Sequence, residues 1–128
     1  ISIFNMNEHI NMKIGNLSGG TVQKVNLILT FMFESDLIIL DEPTNGLDPI
    51  SMINLEKIIS EEKEKGKTIL ITTHVMRIVE RFSDEIIFLL EGKVFFKGKL
   101  STLRKKTDEK DLEFAIAKLM ENRGCLKS

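Results

Sequence analysis

Apolar residues follow two rhythms along the chain. Between Gly20 and Phe33, Val22, Val25, Leu29 and Met32 recur at helical spacing. Ser18 or Gly19 is the predicted N-cap, and Asp36 closes the segment. Leu37–Leu40 is instead an unbroken apolar run, as expected of a strand buried on both faces, and Asp41, Glu42 and Pro43 stop it. Asp48 and Pro49 read as N-cap and first helical residue of a helix reaching about Lys65. Ile53, Leu55, Ile58 and Ile59 are predicted to face inward, and Gly66 is the stop. Thr68–Thr72 reads as a second, β-branched strand, followed by a short helix through about Phe82. Glu85–Leu90 is a third strand, which Glu91 and Gly92 turn back into Lys93–Lys97. Leu100–Leu103 adds a helical turn, and Asp108 is the predicted cap of a last helix with Leu112, Ile116 and Leu119 on one face. Residues Ile1–Asn16, rich in Asn and Met, read as a helix end and a loop.

Strands therefore alternate with helices before the chain ends in a hairpin and a helix. This order predicts an α/β protein with a parallel sheet. The Thr102–Lys110 charge cluster is the expected flexible joint. Composition narrows the function. With 18 basic and 19 acidic residues in 128, the chain has no basic field to hold nucleic acid, so no nucleic-acid partner is expected. No apolar run approaches bilayer-spanning length. A single cysteine, Cys125, cannot form an internal disulfide and fits a reducing, cytoplasmic setting. The first residue is Ile1 rather than Met, so the chain is expected to belong to a longer protein.

Three chemistry-bearing features fall at predicted helix starts or at the carboxyl ends of strands, where open α/β sheets place their ligands. Asp41 and Glu42 end the first strand. One carboxylate there suits Mg²⁺ held through water, and a second could polarise an attacking water. Two solvated acids at a strand end are the plain alternative. His74, after the second strand, could donate to a phosphate oxyanion, or could be incidental. Ser18, Gly19 and Gly20 open a helix, where backbone donors and the helix dipole favour an anion; taken alone they are a flexible capped turn. Asp48 caps the helix at Pro49 and could also reach a nucleotide across an interface. No G-x-x-x-x-G-K-[ST] phosphate loop occurs in these residues, which raises the question of whose phosphate the glycine turn would hold.

Read in order, "NLSGGTVQK", "LIILDEPTNGLDP" and "ILITTH" resemble the C-terminal half of an ATP-binding cassette (ABC) ATPase domain. "LSGG" resembles the family signature, "LIILDEP" the Walker B strand, "NGLD" the D-loop, and His74 the switch histidine. The resemblance covers roughly Ile14 to Gly98, and four motifs in the right order make it specific. One departure is Thr21, where the family usually has Gln; a Gln follows at position 23. The other is the absence of the Walker A loop and the Gln-containing loop, which the family places upstream of the signature.

The resemblance implies an incomplete parallel sheet of the P-loop NTPase type with a C-terminal β-hairpin and helix. It divides the chain into residues 1–34 (end of the helical subdomain, with the signature), 35–100 (Walker B, D-loop and switch histidine) and 101–128 (helical tail). It implies ATP and Mg²⁺ as cofactors. Asp41 would hold the metal through water, and Glu42 and His74 would be catalytic. Leu17, Ser18, Gly19, Gly20 and Asp48 would bind nucleotide. The signature turn would hold ATP carried by the Walker A loop of a second ABC ATPase domain, which answers whose phosphate it is. Transmembrane permease subunits complete the expected partners, at the cytoplasmic face of a membrane. Alone, the chain is expected to be inactive and, with apolar strand edges uncovered, to self-associate. The alternatives are half of a chromosome-maintenance or DNA-repair ATPase head, a translation-factor ATPase of the same superfamily, and a non-catalytic fragment.

Overall fold

The computed structural model describes Phe4, Met6 and residues 11–122. The chain divides into two compact units, Ile1–His74 and Val75–Ser128.

In the first unit, a 3₁₀ turn at Ile14–Asn16 leads into α1 (Gly19–Met32), then β1 (Leu37–Asp41), α2 (Pro49–Glu64) and β2 (Thr68–Thr72). The two strands pair in parallel, with Leu37 opposite Thr68 and Asp41 opposite Thr72. The predicted caps are in place. Ser18 caps α1 by accepting the Thr21 amide, and Asp48 caps α2 by accepting the Ser51 amide. Gly66, at φ +81°, follows the α2 C-cap, a left-handed position that glycine occupies without cost.

The core forms on one face only. Ile38 and Leu40 of β1, with Leu55, Ile58 and Ile59 of α2, are buried. The expectation of a first strand buried on both faces is corrected: Leu37 and Ile39 are 51% and 59% exposed, as is Leu70 of β2 at 51%. Side chains alternate across a strand, so an apolar run is doubly buried only where layers cover both faces. Ile53 is likewise exposed, at 63%, because it lies off the stripe formed by Leu55, Ile58 and Ile59. On α1 the predicted stripe also shifts: Leu27 is the buried residue, while Leu29 and Met32 are exposed.

The end of α2 is held by charge. Glu62 is buried, and its two carboxylate oxygens lie 2.6 Å from Lys65 Nζ and 2.5 Å from Lys67 Nζ. The hydrogen bonds from Lys65 and then Lys67 hold its carboxyl below the usual carboxylate range. A carboxyl whose folded pKa is depressed stabilises the fold above its unfolded pKa and loses that contribution as pH falls through the folded value. Glu62→Gln is therefore expected to lower the melting temperature by several degrees at neutral pH. The gap to wild type should close on acidification; a gap that stays constant down to the acid transition would mean the pair does not stabilise this end of α2.

The second unit contains α3 (Met76–Phe82), β3 (Ile86–Leu90), β4 (Lys93–Gly98), α4 (Leu100–Thr107) and α5 (Leu112–Asn122). Among the described residues β3 pairs only with β4, antiparallel. Glu91 and Gly92 both have positive φ, as a two-residue hairpin turn with the right twist requires. The register slips between Phe88 and Leu89, so Phe95 is the extra residue of a bulge. The bulge explains how two consecutive residues, Phe95 and Phe96, can both be buried. They pack with Ile86, Leu103, Leu112, Ala115 and Leu119.

Two expectations change here. The Thr102–Lys110 charge run is mostly helix rather than a joint: α4 buries Leu103 and Thr107 beneath its exposed lysines. Asp108 does not cap the last helix; it is the left-handed C-cap residue of α4. Asp111 takes the N-terminal role, its carboxylate accepting the amides of Glu113 and Phe114. The reading of Ile1–Asn16 and the position of Cys125 lie largely outside the described residues.

Candidate functional site

Parallel pairing brings the carboxyl ends of β1 and β2 side by side, with Asp41 opposite Thr72. Thr72 Oγ1 donates to Asp41 Oδ1. Glu42 then leaves the strand at φ +43°, uncommon for a residue with a side chain and typical of functional positions held by their surroundings. Its amide donates to the Thr72 carbonyl at 2.9 Å. This turn aims the Glu42 carboxylate at His74, with Oε1 2.9 Å from Nδ1. The other oxygen, Oε2, is buried and has no hydrogen-bond partner among the described residues. Asp41, Glu42 and His74 thus form one cluster. Its fourth member, Thr72, was not singled out in the sequence. The signal was there in the register: equal-length parallel strands place a hydroxyl opposite the first acid.

Ser18–Gly20 and Asp48 form a second group. The Ser18 hydroxyl is 2.7 Å from the Thr21 hydroxyl and accepts the Thr21 amide. Thr21, the departure from the usual signature, therefore reinforces the cap. Gly19 and Gly20 are the first two helical residues, so their amides have no acceptor within the helix and can meet an anion. Gly20 is packed against the backbone of Gly46, and a Cβ there would collide with the Gly46 carbonyl oxygen. Leu17 is half-buried beside the turn. Asp48 is fully engaged: Oδ1 accepts the Ser51 amide at 2.9 Å, and Oδ2 accepts the Ser51 hydroxyl at 2.7 Å and Lys24 Nζ at 2.6 Å. The Lys24 hydrogen bond, followed by those from Ser51, holds its carboxyl well below the usual carboxylate range.

Among the described residues no group of three or more His, Cys, Asp or Glu side chains could cage a metal. The donor set at the strand ends suits Mg²⁺, which keeps most of its waters and takes one or two carboxylates together with substrate phosphates. Asp41 supplies such a carboxylate, and the orphaned Glu42 Oε2 is an acceptor awaiting a donor such as water.

Because the Thr72 hydroxyl holds Asp41 and its carbonyl holds the Glu42 amide, Thr72→Val should disturb the site without opening the strand pair. We expect nucleotide turnover in the complete domain to fall by about tenfold with a raised Mg²⁺ requirement. Thr72→Ser should stay near wild type. Equal activity of Val and Ser variants across a Mg²⁺ titration would remove the hydroxyl from the site.

An acid pair and a histidine at the ends of parallel strands, in the same unit as a helix start with free amides, give an α/β protein whose donors suit a phosphate and Mg²⁺. The comparisons sharpen that class. Residues 2–45 match the family model of the ABC transporter. An uncharacterised ABC transporter ATP-binding protein of Methanocaldococcus jannaschii is 42% identical over 94 residues, covering 73% of this chain and 36% of the relative. A solved ATP-binding subunit of an ABC transporter superposes with a TM-score of 0.78 at 34% identity, over 83% of this chain and 45% of that one. A dimeric ATP-binding cassette in a post-hydrolysis state, bound to ADP and phosphate, gives 0.66 at 32% identity, over 73% and 40%. The chain belongs to the ATP-binding cassette family, as part of its ATPase domain. It spans less than half the length of these relatives. The first two are named as ATP-binding parts of ABC transporters, which supports the transport reading over the DNA-repair one.

Proposed function

We propose that this chain is the signature-to-switch part of the ATP-hydrolysing subunit of an ABC transporter. The observation that carries it is the Glu42 carboxylate, with one oxygen on His74 at 2.9 Å and the other buried and free of any partner among the described residues. That is a carboxylate oriented from one side by the histidine, whose other oxygen is left as an unsatisfied acceptor that a donor such as water would complete. Asp41, steadied by Thr72, presents a carboxylate to Mg²⁺, which when bound neutralises phosphate charge. His74 is 74% exposed and can donate to a terminal phosphate while its Nδ1 faces Glu42. Such catalysis consists mainly of positioning and electrostatics.

The Gly19 and Gly20 amides bind phosphate presented by a second ATPase domain, since these residues contain no phosphate loop of their own. The dimeric relative bound to ADP and phosphate supports that pairing. Closure of the pair on ATP and its release on hydrolysis is a ligand-driven population shift, which permease subunits convert into transport. Among the described residues no helix is long and apolar enough to cross a membrane. In this reading, which rests on the transporter relatives, the subunit works from the cytoplasmic face against membrane partners. The test is ATP-dependent pairing of the complete domain, measured by light scattering with and without Mg²⁺-ATP. Dimers that appear with ATP and dissolve as phosphate is released support the reading; indifference to nucleotide overturns it.

A further inference from the structure

On α1, Gly20, Gln23 and Lys24 stand at i, i+3 and i+4, and so share one helix face. That face meets the Pro43–Asp48 loop at its beginning, middle and end. Gln23 Nε2 donates to the Pro43 carbonyl at 3.3 Å. Gly20 lies against the Gly46 backbone, which itself sits at φ +71°. Lys24 Nζ meets Asp48 Oδ2 at 2.6 Å, with the lysine side chain only 19% exposed. The loop begins directly after Asp41 and Glu42 and ends on the cap of α2. One carboxylate thus joins the start of α2 to the helix that carries the anion turn.

We propose that Lys24 is a positioning residue whose ion pair with Asp48 pins the Ser18–Gly20 turn to the loop that follows the Asp41–Glu42 pair. The two glycine amides and the acid pair then move as one piece, although they serve different nucleotides in a closed dimer. Lys24 acts through Asp48, its ion-pair partner. This rests on the ATPase reading for its catalytic consequence, while the latch itself does not depend on it. An ion pair at a half-exposed carboxylate contributes little to global stability, so a purely structural role predicts a small effect everywhere.

The test uses the complete ATP-binding domain carrying Lys24→Met, Lys24→Arg, Asp48→Asn and the Lys24→Met/Asp48→Asn pair. Misplacement of a binding turn without loss of its donors should lower turnover at saturating ATP by about tenfold or more in Lys24→Met. Nucleotide affinity of the unpaired domain should stay within about twofold, and Lys24→Arg should recover to within about threefold of wild type. The double variant should lose no more than the worse single one, because both break the same contact. Amide exchange at Ser51 should quicken in Lys24→Met while exchange along β1 is unchanged. Additive losses, an Arg variant no better than Met, or unchanged Ser51 exchange would each overturn the latch. Should the wild-type domain show no ATP turnover, the ATPase reading fails, and Ser51 exchange still decides the latch by itself.

Discussion

Glu42→Gln in the complete, paired domain is expected to cut ATP turnover by about a thousandfold while leaving ATP-driven pairing intact. The substitution keeps shape and removes the charge. Glu42 holds its place through the backbone, by its amide on the Thr72 carbonyl and its positive φ, neither of which the side chain supplies. Gln can still place its carbonyl oxygen toward His74, but its other terminal atom becomes an NH₂ where the carboxylate had a free, buried oxygen. A donor there repels the hydrogens of an attacking water instead of accepting one. Binding should survive, since the anion-ready amides of Gly19 and Gly20 belong to a different element. The measurements are phosphate release and light scattering on the same preparation. A trapped ATP-bound dimer supports the assignment. Turnover within about tenfold of wild type would show that Glu42 is not the base, and attention would move to His74.

A feature of this fold is legible in the sequence where its cause is local. The caps Ser18 and Asp48, the stop at Gly66 and the Glu91–Gly92 turn were all readable, because each depends on the chemistry of one to three neighbouring residues. The exposure of Leu37 and Ile39 is not legible, because burial on a second face is decided by whatever layer covers it, and a strand's own composition carries no record of that. The Thr102–Lys110 charge run reads as a joint in the sequence because only Leu103 and Thr107 anchor α4, too few apolar positions to show a period. In the site, Asp41, Glu42 and His74 were visible from their place at strand ends. Thr72 and Lys24 were not, because their importance lies in partners 31 and 24 residues away. For Thr72 the partner is Asp41, reached through strand register; for Lys24 it is Asp48, reached through helix phase. Neither pairing has a sequence motif.

The 128-residue chain by itself is expected to give no Mg²⁺-dependent ATP turnover and to sediment above monomer size. The first half follows from what the catalytic cluster lacks. Asp41, Glu42 and His74 can act on a terminal phosphate only if other groups hold the nucleotide against them, and these residues contain no phosphate loop to do so. The second half follows from the sheets. Among the described residues each is two-stranded, so every strand presents an unpaired edge there, and small sheets are marginal without a layer over their faces. Leu37, Ile39 and Leu70 in the first unit, and Ile87, Leu89 and Val94 in the second, leave both sheets with exposed apolar side chains. Fully burying an exposed apolar side chain is worth roughly 1.5–3 kcal/mol; these are about half exposed, so each gains about half of that, and several together favour association. Adding the upstream half of the domain as a separate polypeptide should restore turnover and suppress self-association together, since one set of strands would cover the faces and carry the phosphate loop. Turnover by the chain alone that Glu42→Gln abolishes would refute the first claim, and a monomer across a concentration series would refute the second. Restored solubility without restored turnover would locate the deficit in the nucleotide site rather than in the uncovered sheets.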